Sequence, residues 1–321
     1  LIFGRFFVVA MAIILQVLWL CVVLWQLSYK FTYVNLLVRV IAIIVVLVIV
    51  NKWTNPANKL SWTFLILLSP IFGLMVYFLF GRSGLTKHTR ERMDAVNRQV
   101  EALFQRDSAV EKGLEKESRS AYLQSSYIDK WAGFPLYQNT QTKYYSCGEE
   151  MFPDMLEALC GAKHFIFLEY FIIEEGYMFN TILDILEEKA KAGVDVRFIY
   201  DDVGSINSIS FGYYKKLQER GIPCVTFNPF KPLISVVMNN RDHRKIFVVD
   251  GYIGFTGGIN LADEYINKVK RFGYWKDTGV RIEGEAVWSL TAMFLEMWNY
   301  INRSTEDYSR FLPSVYREKE F

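Results

Sequence analysis

The 321 residues hold 36 Lys and Arg against 34 Asp and Glu, for a formal net charge of +2, and 52% of the chain is hydrophobic. A balance this close to neutral implies no polyanion groove resting on bulk basicity, and four cysteines without C-x-x-C spacing form no zinc set and read as reduced thiols. The length admits one large or two modest domains, and the apolar share is concentrated before residue 80.

Phe6 to Leu27 is apolar apart from Gln16 and Gln26, and Leu60 to Phe80 carries no charge. Each is long enough to cross a hydrocarbon layer of roughly 30 Å as a helix. Leu36 to Val50 is shorter and interrupted by Arg39. It forms a third span if Arg39 snorkels to one interface and the helix continues through Lys52 and Trp53, or else it lies in the interface. Residues 1–80 are therefore expected to be a membrane region of two or three transmembrane helices, and the later apolar segment argues against a cleaved signal peptide. Arg82, Lys87, Arg90, Arg92 and Arg98 follow that segment, whereas Lys52 and Lys59 are the only basic residues in the loop before it. Positive-inside bias then predicts a multi-pass protein of the cell membrane with its C-terminal portion in the cytoplasm.

Residues 81–120 mix both charge signs at helical spacing and are expected to form a solvated linker helix, with His88 on its surface. Beyond residue 140, apolar runs alternate with amphipathic segments. Helices are predicted over 149–162, 178–193, 211–221 and 285–301, and strands over 163–173, 194–202, 222–230 and 278–284, with a strand or hairpin over 244–258. Strands separated by helices indicate an α/β domain, here 121–310, whose mostly parallel sheet is flanked by helices on both faces. Residues 311–321 form a tail.

The stretch NNRDHRKIFVVDGYIGFTGGIN, 239–260, carries the chemistry. Residues two apart in a strand share a face, so His243 and Lys245 project together while Ile246 to Val249 supply buried surface. An imidazole beside an ammonium suits phosphate chemistry: the lysine neutralises non-bridging oxygens and a neutral ring nitrogen attacks phosphorus. Asn260 can donate to the same oxygens, and Gly257 and Gly258 permit close backbone approach. Asp250, an odd number of positions away, is expected to brace the segment as a supporting member of the catalytic set. No part of this scheme calls for a metal or other cofactor.

H-x-K-x-x-x-x-D followed by G-G-x-N resembles the signature of the phospholipase D superfamily. The stretches NPANKLSWTFLILLSPIFGLMVYFLFGR, FIFLEYFII, VRFIYDDVGS, GGINLADEY and FGYWKDTGVRIEG further resemble its bacterial cardiolipin synthase branch, over most of residues 50–300. The resemblance implies that His243 attacks the phosphodiester of phosphatidylglycerol and releases glycerol. The phosphatidyl-histidine so formed is then taken by a hydroxyl of a second phosphatidylglycerol, giving cardiolipin. It also implies that Asp277, in WKDTG, positions a carboxylate against the far nitrogen of His243, where a lone aspartate would otherwise read as a cap or turn residue. Glu169 interrupts an apolar strand and is either a support for the site or an edge residue. Asp201 and Asp202 read as a cap or turn pair, and His164, opening a strand, as structural.

Members of this family join two such signatures in one site, one histidine attacking and the other protonating the leaving group. This sequence contains one. The second half is expected from a longer chain, for which the leading leucine speaks, or from a homodimer partner, with the longer chain preferred. Competing functions are a membrane phospholipase D or headgroup-exchange enzyme, with water or another alcohol as acceptor, and a non-catalytic scaffold or nucleic-acid module. The last lacks a basic stripe interleaved with aromatics, so nucleic acid is not an expected partner.

Overall fold

The computed structural model describes residues 11, 13–23, 32–81, 87–229, 240–304 and 306–312. Its two units are Leu1–Leu85 with Lys231–Asn240, and Thr86–Phe230 with Arg241–Phe321.

The first unit is helical: α1 (Ile13–Val23), α2 (Thr32–Asn51), α3 (Pro56–Leu68) and α4 (Pro70–Phe80). Tyr33–Asn51 of α2 is, among the described residues, the single helix both long and apolar enough to cross a membrane. The segment interrupted by Arg39 thus has spanning length, and Leu60 to Phe80, expected to span, does not form one helix. Leu60 to Phe80 is broken at Ser69, because Pro70 has no N–H to continue the ladder of α3 and disfavours helical backbone in the residue before it. Asn55 and Pro56 start α3 cleanly, Asn55 Oδ1 accepting from Ala57 N at 2.9 Å. Of Phe6 to Leu27, residues 13–23 are helical, and the remainder lies outside the described residues apart from Met11. Ala42 and Ile49 of α2 bury against Ile66 of α3 and Leu74 and Tyr77 of α4.

The second unit is a three-layer α/β domain. Before the sheet come α5 (Lys87–Glu101), α6 (Ser108–Glu117) and α7 (Arg119–Ala132). The expected solvated linker helix is thus two helices and a turn. It is not free of the domain, since Val100 and Phe104 are buried against Trp288 and its neighbours. The sheet comprises β1 (Thr140–Tyr145), β2 (Phe165–Tyr170), β3 (Asp195–Asp201), β4 (Cys224–Phe227), β5 (Ile246–Val249), β6 (Ile253–Gly257) and β7 (Gly279–Gly284), in the order β1-β7-β6-β5-β2-β3-β4. Interleaved with the strands are α8 (Gly148–Gly161), α9 (Tyr177–Lys191), α10 (Tyr213–Glu219) and the closing α11 (Val287–Asn302).

The sheet is mixed, not mostly parallel. β2, β3 and β4 run parallel, while β5, β6, β7 and β1 join antiparallel. The reason is connection length. Asp250, Gly251 and Tyr252 alone link β5 to β6, which suffices for a hairpin but not for a parallel crossover. Alternation sorts the layers: Ile166, Leu168, Phe247 and Val249 face α8 and α9, and Phe165, Phe167, Ile246 and Val248 face α11.

This order gathers one set of loops. The tails of β2, β3 and β6 and the leads into β5 and β7 all lie at the same end of the sheet.

Candidate active site

Residues 241–245 lie at that end, on extended chain leading into β5, which itself begins at Ile246. Pleat alternation continues through this lead-in although it makes no ladder. Lys245 Nζ sits 3.3 Å from His243 Nδ1 and donates to the His243 carbonyl at 2.7 Å. Phe171, on the tail of β2, packs at a tilt against the imidazole with ring centroids 4.7 Å apart, and its ring lies 5.5 Å from the ammonium. The imidazole is exposed while Lys245 is only 4% exposed, so an approaching phosphate meets the ring first and the ammonium beneath it. Burial pushes Lys245 down to about 8, against the charges of Asp277 and Asp242, which act to raise it.

Asn260 is 2% exposed beside the tail of β2. Its Oδ1 accepts from Ile172 N at 3.0 Å and its Nδ2 donates to the Tyr265 hydroxyl at 2.8 Å. These bonds fix the amide plane, and Nδ2 carries a second hydrogen beyond the one given to Tyr265. Gly258 makes room for protein: a Cβ there would sit 2.0 Å from Asp277 Oδ1, so the close approach expected for phosphate is made by a carboxylate. Asp277 Oδ1 accepts from Thr278 N at 2.8 Å, and its charge bears on Lys245. Among the described residues no hydrogen bond joins this carboxylate to His243, and its electrostatic effect falls on Lys245.

Asp250 is at the opposite end. Its carboxylate accepts from Lys163 N at 2.8 Å, His164 N at 2.7 Å and Phe165 N at 2.8 Å, fastening the start of β2, and its own φ is 52°. Seven residues at about 3.3 Å each separate it from His243 along the strand. Its carboxylate thus braces the start of β2, at the end of the sheet away from His243.

The opposite face of 241–245 holds what the sequence did not announce. Glu169, 1% exposed, pairs with Arg244 at 2.7 Å, and Arg244 Nε reaches Asp242 at 3.0 Å. Burial pushes the Glu169 carboxyl well above its ordinary range, with Arg244 opposing and the charge of Asp242 adding to the rise. Burial also works to raise Asp242, but the neighbouring Glu169 and the charge of Arg244 hold it below the usual carboxylate range. Burial raises Glu296 of α11 to about 7, with Arg244 again opposing. Glu169 is not on an edge strand, since β5 and β3 flank β2. Asp201 adds a further hold: Oδ2 accepts from Asp242 N at 3.0 Å, and Oδ1 from Val203 N and Gly204 N, both at 2.9 Å. The turn reading of Asp201 was right but incomplete. Its grip on Asp242, like the Arg244 pair, depends on segments 40 or more positions apart and leaves no local signal.

Residues 155–298 match the family model described as cardiolipin synthase, phospholipase D-like domain, and residues 40–82 match one described as phospholipase D-nuclease N-terminal. A Streptococcus mutans protein without an assigned function is 40% identical over 273 residues, covering 85% of this chain and 59% of that protein. Cardiolipin synthase 1 of Bacillus anthracis is 35% identical over 286 residues, covering 87% of this chain and 55% of the relative. The chain thus spans little more than half the length of these relatives. Among solved structures, the phospholipase D family member Nuc of Salmonella typhimurium aligns with a TM-score of 0.37 and 23% identity, over 53% of this chain and 97% of Nuc.

Proposed function

We propose that this chain, whose residues 155–298 match the cardiolipin synthase, phospholipase D-like domain model, supplies one histidine–lysine half of a membrane phosphatidyltransferase making cardiolipin and glycerol from two phosphatidylglycerol molecules. The observation that carries the reading is the exposed His243 ring over the buried Lys245 ammonium, 3.3 Å apart, at the loop end of the sheet.

In this scheme a neutral nitrogen of His243 attacks phosphorus, the phosphorus–oxygen bond to glycerol breaks, and the glycerol oxygen takes a proton from the acid of the second half. A hydroxyl of another phosphatidylglycerol then attacks, the phosphorus–nitrogen bond breaks, and that hydroxyl's proton returns to the same group. One phosphodiester replaces another, so the exchange draws on no nucleotide. Lys245 and the second Nδ2 hydrogen of Asn260 hold the non-bridging oxygens, and Asp277 keeps Lys245 charged against its burial. The second half comes from a further region of a longer chain or from a second copy. The anchor is read as multi-pass with the catalytic unit in the cytoplasm, on the strength of α2 and the basic residues after Phe80.

His243→Ala in the complete enzyme should abolish cardiolipin formation from phosphatidylglycerol, followed by lipid mass spectrometry, together with the acid-labile phosphorus–nitrogen adduct. Cardiolipin made at the parent rate by the variant would overturn the nucleophile. Phosphatidic acid as the dominant product of the parent would make water the acceptor.

A further inference from the structure

The ten residues from Asn267 to Lys276, NKVKRFGYWK, contain four basic residues and no acidic one. They leave the sheet at the site end and return through Asp277 into β7. Their base is closed by a reciprocal pair: Asn267 Nδ2 donates to the Trp275 carbonyl at 2.9 Å, and Trp275 N donates to Asn267 Oδ1 at 2.7 Å. The other Asn267 hydrogen goes to Glu149 Oε1 at 2.8 Å, and Trp275 packs on Tyr265 with centroids 5.2 Å apart. Lys268 N donates at 2.9 Å to the carbonyl of Asp263, whose carboxylate caps the start of α9.

These contacts hold the base of the loop. Val269 is nevertheless 50% exposed, Phe272 73% and Tyr274 67%, with Lys268, Lys270 and Lys276 exposed among them. Arg271 is tied to Glu174 at 3.3 Å and Glu264 at 3.4 Å, and Lys268 lies over the Tyr177 ring at 4.6 Å. This leaves Lys270 and Lys276 as the cations that extend with the apolar tip.

Protein interfaces deplete lysine at their cores, whereas lysine interleaved with aromatic and aliphatic tips suits the headgroup layer, where stems bury and ammonium groups meet phosphate. We propose that the 267–276 loop is an interfacial foot that seats in an anionic bilayer surface, Val269 and Phe272 reaching the acyl boundary and Lys270 and Lys276 engaging headgroup phosphates. The foot is a docking element distinct from the helices of the first unit. It runs directly into Asp277, whose charge bears on Lys245, and it extends the lipid-substrate reading without depending on turnover.

The test uses the full chain in nanodiscs, with Cys21, Cys147 and Cys160 replaced by serine and an environment-sensitive dye placed at Phe272→Cys. The control label is Ala192→Cys, exposed at the other end of the sheet. Nanodiscs of phosphatidylcholine are compared with nanodiscs containing phosphatidylserine, each with and without a headgroup-proximal nitroxide lipid. Phosphatidylserine separates surface charge from substrate. The 272 label should be blue-shifted and quenched in the anionic discs, with loss of quenching in phosphatidylcholine and in Lys270→Glu/Lys276→Glu. Quenching no greater than at the control would overturn the proposal, as would a blue shift insensitive to the nitroxide lipid, which would put protein over the tip. Equal quenching in both disc types would remove the anionic surface from it. Turnover can fail in every one of these samples without touching the result.

Discussion

Lys245 is where burial and function meet most directly. Its ammonium is held to about 8 by desolvation, and it must be charged to neutralise a phosphate. In the free complete enzyme, kcat/KM should therefore fall as pH rises through about 8, with the limb moved upward in kcat once substrate phosphate supports the charge. Lys245→Met should remove the limb and cost about 10²- to 10³-fold in kcat, the usual loss for one positioned donor. An alkaline limb unchanged in that variant would assign it to another group. His243 and Lys245 were legible because alternation is a property of four consecutive residues. Glu169 was legible as a carboxyl in need of a partner. Its partner was not, because Arg244 reads as a surface charge until the fold carries β5 alongside β2. The approach of Asp277 to Gly258 was not legible, since it joins two loops that the sequence separates by 18 residues.

At the scale of elements, Asp250 shows how a motif residue can be fixed by fold and not by chemistry. Three backbone N–H groups at the start of β2 converge on its carboxylate. Asp250→Ala should destabilise the second unit by about 1–3 kcal/mol, because those donors lose their acceptor and the positive φ is retained. Asp250→Asn, which tolerates that backbone and keeps one acceptor oxygen, should fall between the two. Chemical denaturation measures both, and turnover of the folded variants should stay near the parent value. A large loss of turnover in a fully folded variant would return Asp250 to the catalytic set. Helices and strands after residue 148 were readable because short apolar runs such as Ile246–Val249 alternate with helices that carry core residues at helical spacing, as in Met178, Phe179, Ile182, Leu183 and Leu186 of α9. Strand direction was not, since it depends on which strands pair. The break at Pro70 was also missed, because an uncharged run of spanning length outweighed one proline.

Across the whole molecule, the carboxyl cluster behind the site couples stability to pH. Glu169 and Glu296 both have folded-state values above their unfolded ones, so between the two values the folded state binds more protons. Their contribution is present in mild acid and is lost as pH rises, through about 7 for Glu296. The melting temperature of the second unit in the reconstituted chain should decline on going from about pH 5 to about pH 8, and Glu296→Gln should flatten the part near 7. A flat parent profile would mean that Arg244 offsets the burial of both groups. The same cluster limits how this segment can vary. From Asp242 to Lys245 the residues send carboxylate, imidazole, guanidinium and ammonium alternately to the two faces of the sheet. Inserting or deleting a single residue between Arg241 and Ile246 would exchange the two sets, placing the ammonium under α11 and a carboxylate where the phosphate must come. Lengths that differ by one are thus barred by parity, while a two-residue change preserves which groups meet substrate. The spacing of the motif records the pleat as much as the reaction.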